Sequence, residues 1–94
     1  MPTLTARERS FLKARAHPLE PTVYVGHDGL TGAVLNEIER ALTAHELIKV
    51  RVNEGDRASR RALLEEICER TEAAPVQQVG KVLVLWRPRP LDAA

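Results

Sequence analysis

The sequence predicts an α+β domain with the element order αβαβαββ, in which helices pack on a four-stranded sheet. Three observations predict it. Capped segments carry apolar residues at three- and four-residue steps, which places them on one face of a helix. Short runs rich in β-branched residues lie between those segments and are bounded by glycine, proline or polar clusters. Finally, Gly80 separates two strand-like runs near the C-terminus, as in a hairpin.

The elements follow in order. Thr5 and Glu8 have capping-box spacing, so a helix begins near Ala6; Pro18 ends it at or before His17, because the residue before a proline disfavours the helical region. The TVYV run predicts a first strand over residues 21–25, stopped by Gly26. Thr31 caps a second helix whose stripe is Val34, Leu35, Ile38, Ala41 and Leu42, running to about Ala44. Residues 47–52 alternate, with Ile48, Val50 and Val52 on one face and Leu47, Lys49 and Arg51 on the other, so the second strand has a basic side. A polar turn at residues 53–56 leads to a third helix, capped by Asp56 or Ser59, with Ala62, Leu63, Leu64, Ile67 and Cys68 as its stripe and an end near Thr71. Residues 75–79 and 81–87 form the hairpin, and Gly80 stands where a type II′ turn requires positive φ. Both faces of VLVLW are apolar, which makes the fourth strand central and covered on both sides.

The chain has 94 residues and reads as one domain over residues 1–94, with a core at about 4–88 and a short flexible tail at 89–94. Its 44% apolar and 29% charged content belongs to a folded chain, since disordered chains combine low hydrophobicity with high net charge. The net charge is only +1, from 14 Lys and Arg against 13 Asp and Glu, so a nucleic-acid reading must rest on where the charges lie. The single Cys68 excludes an internal disulfide, and the N-terminus lacks the apolar stretch of a signal peptide. No apolar run approaches the roughly 20 residues of a membrane span. These features predict a cytoplasmic protein that does not engage a membrane; it is expected to be a monomer.

The most informative motif is Gly26-His27-Asp28-Gly29, followed by Leu30 and the capping Thr31. Glycines between a strand and a helix let a backbone approach closely, and the free amides and positive dipole end of the helix suit a phosphate oxygen; the same spacing also fits a plain strand-to-helix turn. Basic residues come from separate segments: Lys13 and Arg15 at the end of the first helix, Lys49 and Arg51 on one strand face, and Arg87 with Arg89 where the chain leaves the fourth strand. As a group they favour phosphate binding. Arg57, Arg60 and Arg61 have Glu54, Asp56, Glu65 and Glu66 close by and read as surface salt bridges. His17, His27 and His45 show no ligand spacing, so no metal or other cofactor is expected. Cys68 lies on an apolar stripe as a small hydrophobe, and no catalytic constellation emerges, so an enzyme is not expected. Tyr24 and Trp86 are read chiefly as core residues, with base stacking as the alternative.

The segment HPLEPTVYVGHDGLTGAVLNEIERALTAHELIKVRV, followed by QQVGKVLVLWRP, resembles the YhbY proteins. These are stand-alone bacterial forms of the CRM domain, named for chloroplast RNA splicing and ribosome maturation. The likeness covers about residues 4–88. It implies a fold similar to the C-terminal domain of translation initiation factor three: a mixed four-stranded sheet of order 1-2-4-3 packed with helices. It implies, further, an RNA-binding protein that associates with precursors of the large ribosomal subunit and assists their assembly. The partner is then ribosomal RNA, with ribosomal proteins as further partners. The GxxG loop of the family matches Gly26, His27, Asp28 and Gly29, with Lys13, Arg15, Lys49, Arg51 and Arg87 as flanking phosphate contacts. Asp28 is a departure, because family loops often hold Lys or a small polar residue between the glycines; a short, weakly basic end at residues 91–94 is another. The alternative reading is a protein-interaction module that docks on a ribosomal protein or assembly factor.

Overall fold

The computed structural model describes residues 2–89, so most of the expected tail lies outside the described residues. Helix α1 spans Ala6–Ala16, strand β1 Val23–Val25, helix α2 Gly32–His45, strand β2 Leu47–Val52, helix α3 Arg57–Thr71, and strands β3 and β4 Ala74–Val79 and Val82–Trp86. The order is the predicted αβαβαββ. The four strands form one sheet in the order β1-β2-β4-β3, with β1 and β2 parallel and the other neighbours antiparallel.

Local chemistry sets the helix starts. The Thr5 hydroxyl accepts from the Glu8 amide at 3.0 Å, while the Glu8 carboxylate accepts from the Thr5 amide at 2.9 Å. Asp56 and Ser59 make the same reciprocal pair before α3, so Asp56 is the cap and Ser59 its partner. Thr31 caps α2 by accepting from the Val34 amide. Helices α2 and α3 end instead at Glu46 and Glu72, both with positive φ (66° and 59°), without the glycine that usually marks such an end.

Helices α2 and α3 cover one sheet face, where Ile38, Leu42, Leu64 and Ile67 meet Val25, Ile48, Val50, Leu83 and Leu85. Helix α1 covers part of the other, where Leu12 and Ala16 meet Leu47, Val76, Val84 and the half-buried Trp86. Leu83, Val84 and Leu85 are all buried, as expected of a strand covered on both sides. Gly80 has φ +57° while Lys81 does not share the positive φ, the pattern of a type II′ turn.

Two expectations need correction. Strand β1 starts at Val23 rather than at 21; Pro21 has no amide to donate, and the ladder begins only after the Thr22 amide reaches the Lys49 carbonyl. Tyr24 is not a core residue. In the three-residue strand β1, Val23 and Val25 point into the α2/α3 core, so alternation sends Tyr24 to the opposite face, beyond the reach of α1, where it is 59% exposed. Trp86, by contrast, packs as expected.

Candidate nucleic-acid interface

Because β1 and β2 run parallel, the loops that follow them leave from the same end of the sheet. Residues 26–29 come after β1 and residues 53–56 after β2, and each loop leads into the N-terminus of a helix, α2 or α3. The β3–β4 turn joins them, since the Lys81 carbonyl accepts from the Val52 amide at 2.7 Å. One end of the molecule therefore collects three loops and two helix starts, whose first-turn amides lie outside the helical ladder.

The GxxG segment closes as a turn, with the Gly29 amide donating to the Gly26 carbonyl at 3.0 Å and the Thr31 amide to the Gly29 carbonyl at 3.0 Å. The two glycines differ in kind. Gly29 has φ +72°, a conformation in which an L side chain is strained, so the turn itself requires it. Gly26 has no positive φ, and a Cβ built on it meets nothing within 4 Å. Neither backbone conformation nor packing within the domain calls for glycine there; open space lies in front of it.

His27 is exposed, with Nδ1 at 3.1 Å from Glu54 Oε2, so the two loops touch there. Asp28 is exposed and makes no ion pair among the described residues. The Ser59 amide and hydroxyl hold the Asp56 carboxyl below its usual range.

The predicted flanking cations divide into three groups. Arg51 is exposed at this end, steadied by Asn53, whose Oδ1 accepts from Nε at 2.8 Å. Lys13 and Lys49 lie farther back along the same sheet face, beside Val82 and Val84. Lys49 also has a structural task, as its Nζ donates to the carbonyls of His17 (3.2 Å) and Leu19 (2.9 Å) beyond the end of α1. Arg15 and Arg87 are not brought to the loop. Leu47, the first residue of β2, pairs with Trp86, so Arg87 lies a full strand, roughly 17 Å, from the GxxG end. There its guanidinium donates to both Glu39 oxygens, the Thr71 carbonyl and the Thr43 hydroxyl. Arg15 stacks over the Phe11 ring at 5.7 Å, in a groove that Trp86 and His45 also line. Arg89, also near that end, pairs with Glu46 at 3.7 Å.

Of the three arginines early in α3, only Arg61 forms an expected salt bridge among the described residues, to Glu65 at 3.4 Å; Arg60 donates to the Gly55 carbonyl instead. Sequence reasoning missed Lys81, which the hairpin delivers to the loop end. Its position in the two-residue turn was visible; the strand that the turn abuts was not.

Residues 4–87 match the family profile of the CRS1 / YhbY (CRM) domain. The chain belongs to this family. Among relatives of this CRM domain, an "RNA-binding protein" of Haemophilus influenzae is 49% identical over 88 residues, spanning 94% of this chain and 89% of that one. A "probable RNA-binding protein" of Pseudomonas aeruginosa is 42% identical over 87 residues, spanning 93% and 84%. The solution structure of a hypothetical protein from Staphylococcus aureus has the same fold, with a TM-score of 0.85 at 28% identity, and covers 96% of this chain and 94% of that one.

Cys68 is buried, and burial, with a smaller contribution from Glu65, pushes its thiol up to about 12. The described residues contain no cluster of three or more His, Cys, Asp and Glu able to hold a metal ion.

Proposed function

We propose that this CRM domain binds RNA through the Gly26 to Gly29 loop and the basic sheet face behind it, as a monomer that catalyses no reaction. Its cargo in this reading is ribosomal RNA within precursors of the large subunit, which it helps to assemble in the cytoplasm. The names of the relatives support RNA as the ligand class, and the ribosomal cargo follows from the family resemblance. The observation that carries the loop assignment is Gly26: a glycine without a conformational or packing reason, facing open space in the loop that leads from β1 to α2. A phosphate backbone approaching that space supplies the missing reason, with α2 amides and the helix dipole favouring its charge.

Gly26→Glu is the direct test, because a Cβ at this position meets nothing within 4 Å and Gly26 has no positive φ, so the fold is expected to tolerate it. Binding to a large-subunit precursor RNA transcript, followed by fluorescence anisotropy, is expected to weaken by about tenfold or more, as a carboxylate replaces a phosphate contact. Unchanged binding by this folded variant would exclude the loop. The affinity is also expected to fall steeply with salt, by counterion release.

The protein-docking alternative has one feature in its favour, the groove between α1 and the start of β2, where Phe11 is 60% exposed beside Trp86. A salt-independent association with precursor particles, with crosslinks to proteins alone, would favour that reading.

A further inference from the structure

A single row of side chains crosses all four strands on the sheet face that α1 leaves open. Tyr24 is paired with Arg51, Arg51 with Val82, and Val82 with Val79, each in direct register. Three steps of about 4.8 Å make the row roughly 14 Å long. Tyr24 is 59% and Val79 53% exposed, and Arg51 is exposed between Tyr24 and the half-buried Val82. Large apolar side chains facing water in one line, on an otherwise well-packed sheet, mark a contact surface.

The charges around the row say what it contacts. Every charged strand residue on this face is basic: Lys49 and Arg51 on β2, with none on β1, β3 or β4. Lys13 from α1 borders the same depression as Val79 and Val82. An acidic peptide satisfies the cations but covers the ring only where it also carries an aromatic, proline or arginine side chain. A nucleotide satisfies both, since its base has a π-face and its phosphate a negative charge.

We propose that this row is a platform for unpaired nucleotides: a base stacks on the Tyr24 ring and Arg51 takes the adjoining phosphate. This deepens the RNA reading above and rests on it. Tyr24 stands two residues before Gly26, so a strand leaving the loop meets the ring next. A base within a duplex has both faces occupied by its neighbours, so the platform selects single-stranded segments such as loops, bulges and ends.

The test compares the wild type with Tyr24→Phe, which retains an aromatic face, and Tyr24→Thr, which keeps strand propensity but removes the ring. Fluorescence anisotropy would follow binding to a fluorescein-labelled unstructured RNA dodecamer of mixed sequence and to a blunt duplex of the same length. Thermal melts would confirm folding. Tyr24→Thr is expected to bind the single strand roughly 5- to 100-fold more weakly, the range of one base–aromatic stack, while Tyr24→Phe stays within about twofold and duplex binding does not change. Wild-type affinity in Tyr24→Thr, alongside loss in Gly26→Glu, would overturn the platform and leave the loop reading standing. Equal weakening in Tyr24→Phe would overturn stacking, by assigning the effect to the hydroxyl. Equal weakening on the duplex would overturn the selection of unpaired bases. Failure of the wild type to bind either RNA would defeat the RNA reading itself.

Discussion

Replacing Arg87 with Met separates two roles that a basic residue after β4 could have. In the structure the side chain is 21% exposed and ties three elements together, α2 through Glu39 (3.0 Å) and Thr43 (3.1 Å), α3 through the Thr71 carbonyl (2.9 Å), and β4 by its own place in the chain. The Glu39 side chain is 43% exposed, so solvent screens the ion pair and its share is about 1 kcal/mol or less. The larger cost comes from the Thr71 carbonyl, which belongs to a buried residue and would lose a charged donor, at about 1–3 kcal/mol. Methionine retains most of the apolar stem packing. The sum is about 1–4 kcal/mol, which for a domain of this size lowers Tm by roughly 4–30 °C. Differential scanning calorimetry measures this, and RNA anisotropy below the transition gives the second readout. Arg87 lies a strand length from the GxxG loop, so affinity should stay within about twofold, the loss of no phosphate contact. A variant that melts like the wild type but binds RNA tenfold more weakly would refute the reasoning and return Arg87 to the interface.

The further predictions concern two titrating groups, Cys68 and Asp56. Since burial raises the Cys68 thiol to about 12, it should resist alkylation in the native protein at about pH 8 and react once the chain is denatured; rapid labelling of the native state would contradict the burial. The unfolded chain loses this proton above 9.0 while the native state keeps it, so stability should decline as pH rises beyond 9.0, and less so in Cys68→Ala measured by urea denaturation. Asp56 has the opposite sign. Its lowered folded pKa contributes stability above 3.8 that is lost as pH falls below that value, so Asp56→Asn, which still caps α3, should show a shallower decline in acid. An identical acid profile in the two proteins would remove Asp56 from the account.

Much of the architecture was readable in the chain because the signals are local. A capping box at Thr5 and Glu8, the α2 stripe from Val34 to Leu42, the alternation of Leu47–Val52 and the glycine at 80 each act over a few residues. Burial of β4 on both sides was legible for the same reason, since its run of apolar residues leaves neither face polar. The ends of α2 and α3 were approximate because Glu46 and Glu72 adopt positive φ without a glycine to announce it. Mixed strand direction and the order β1-β2-β4-β3 entered only through the family resemblance, because pairing joins residues far apart in the chain.

The candidate site divides along the same line. Sequence by itself determined that Gly26, His27, Asp28 and Gly29 form a turn between a strand and a capped helix, and that Lys49 and Arg51 share a strand face. Tertiary structure alone decided which cations stand near that turn. It brought Lys81 to the loop end through the hairpin, and it committed Lys49 in part to the carbonyls beyond α1. Arg87 was drawn into a polar cluster at the far end of β2. It also turned Tyr24 from an expected core residue into an exposed ring, since α1 packs over Leu47, Val76 and Val84 instead. The physical reason is common to all four: a charge or a ring is free to meet a ligand only if no other element of the fold has reached it first, and that depends on register and packing between residues that the chain keeps apart.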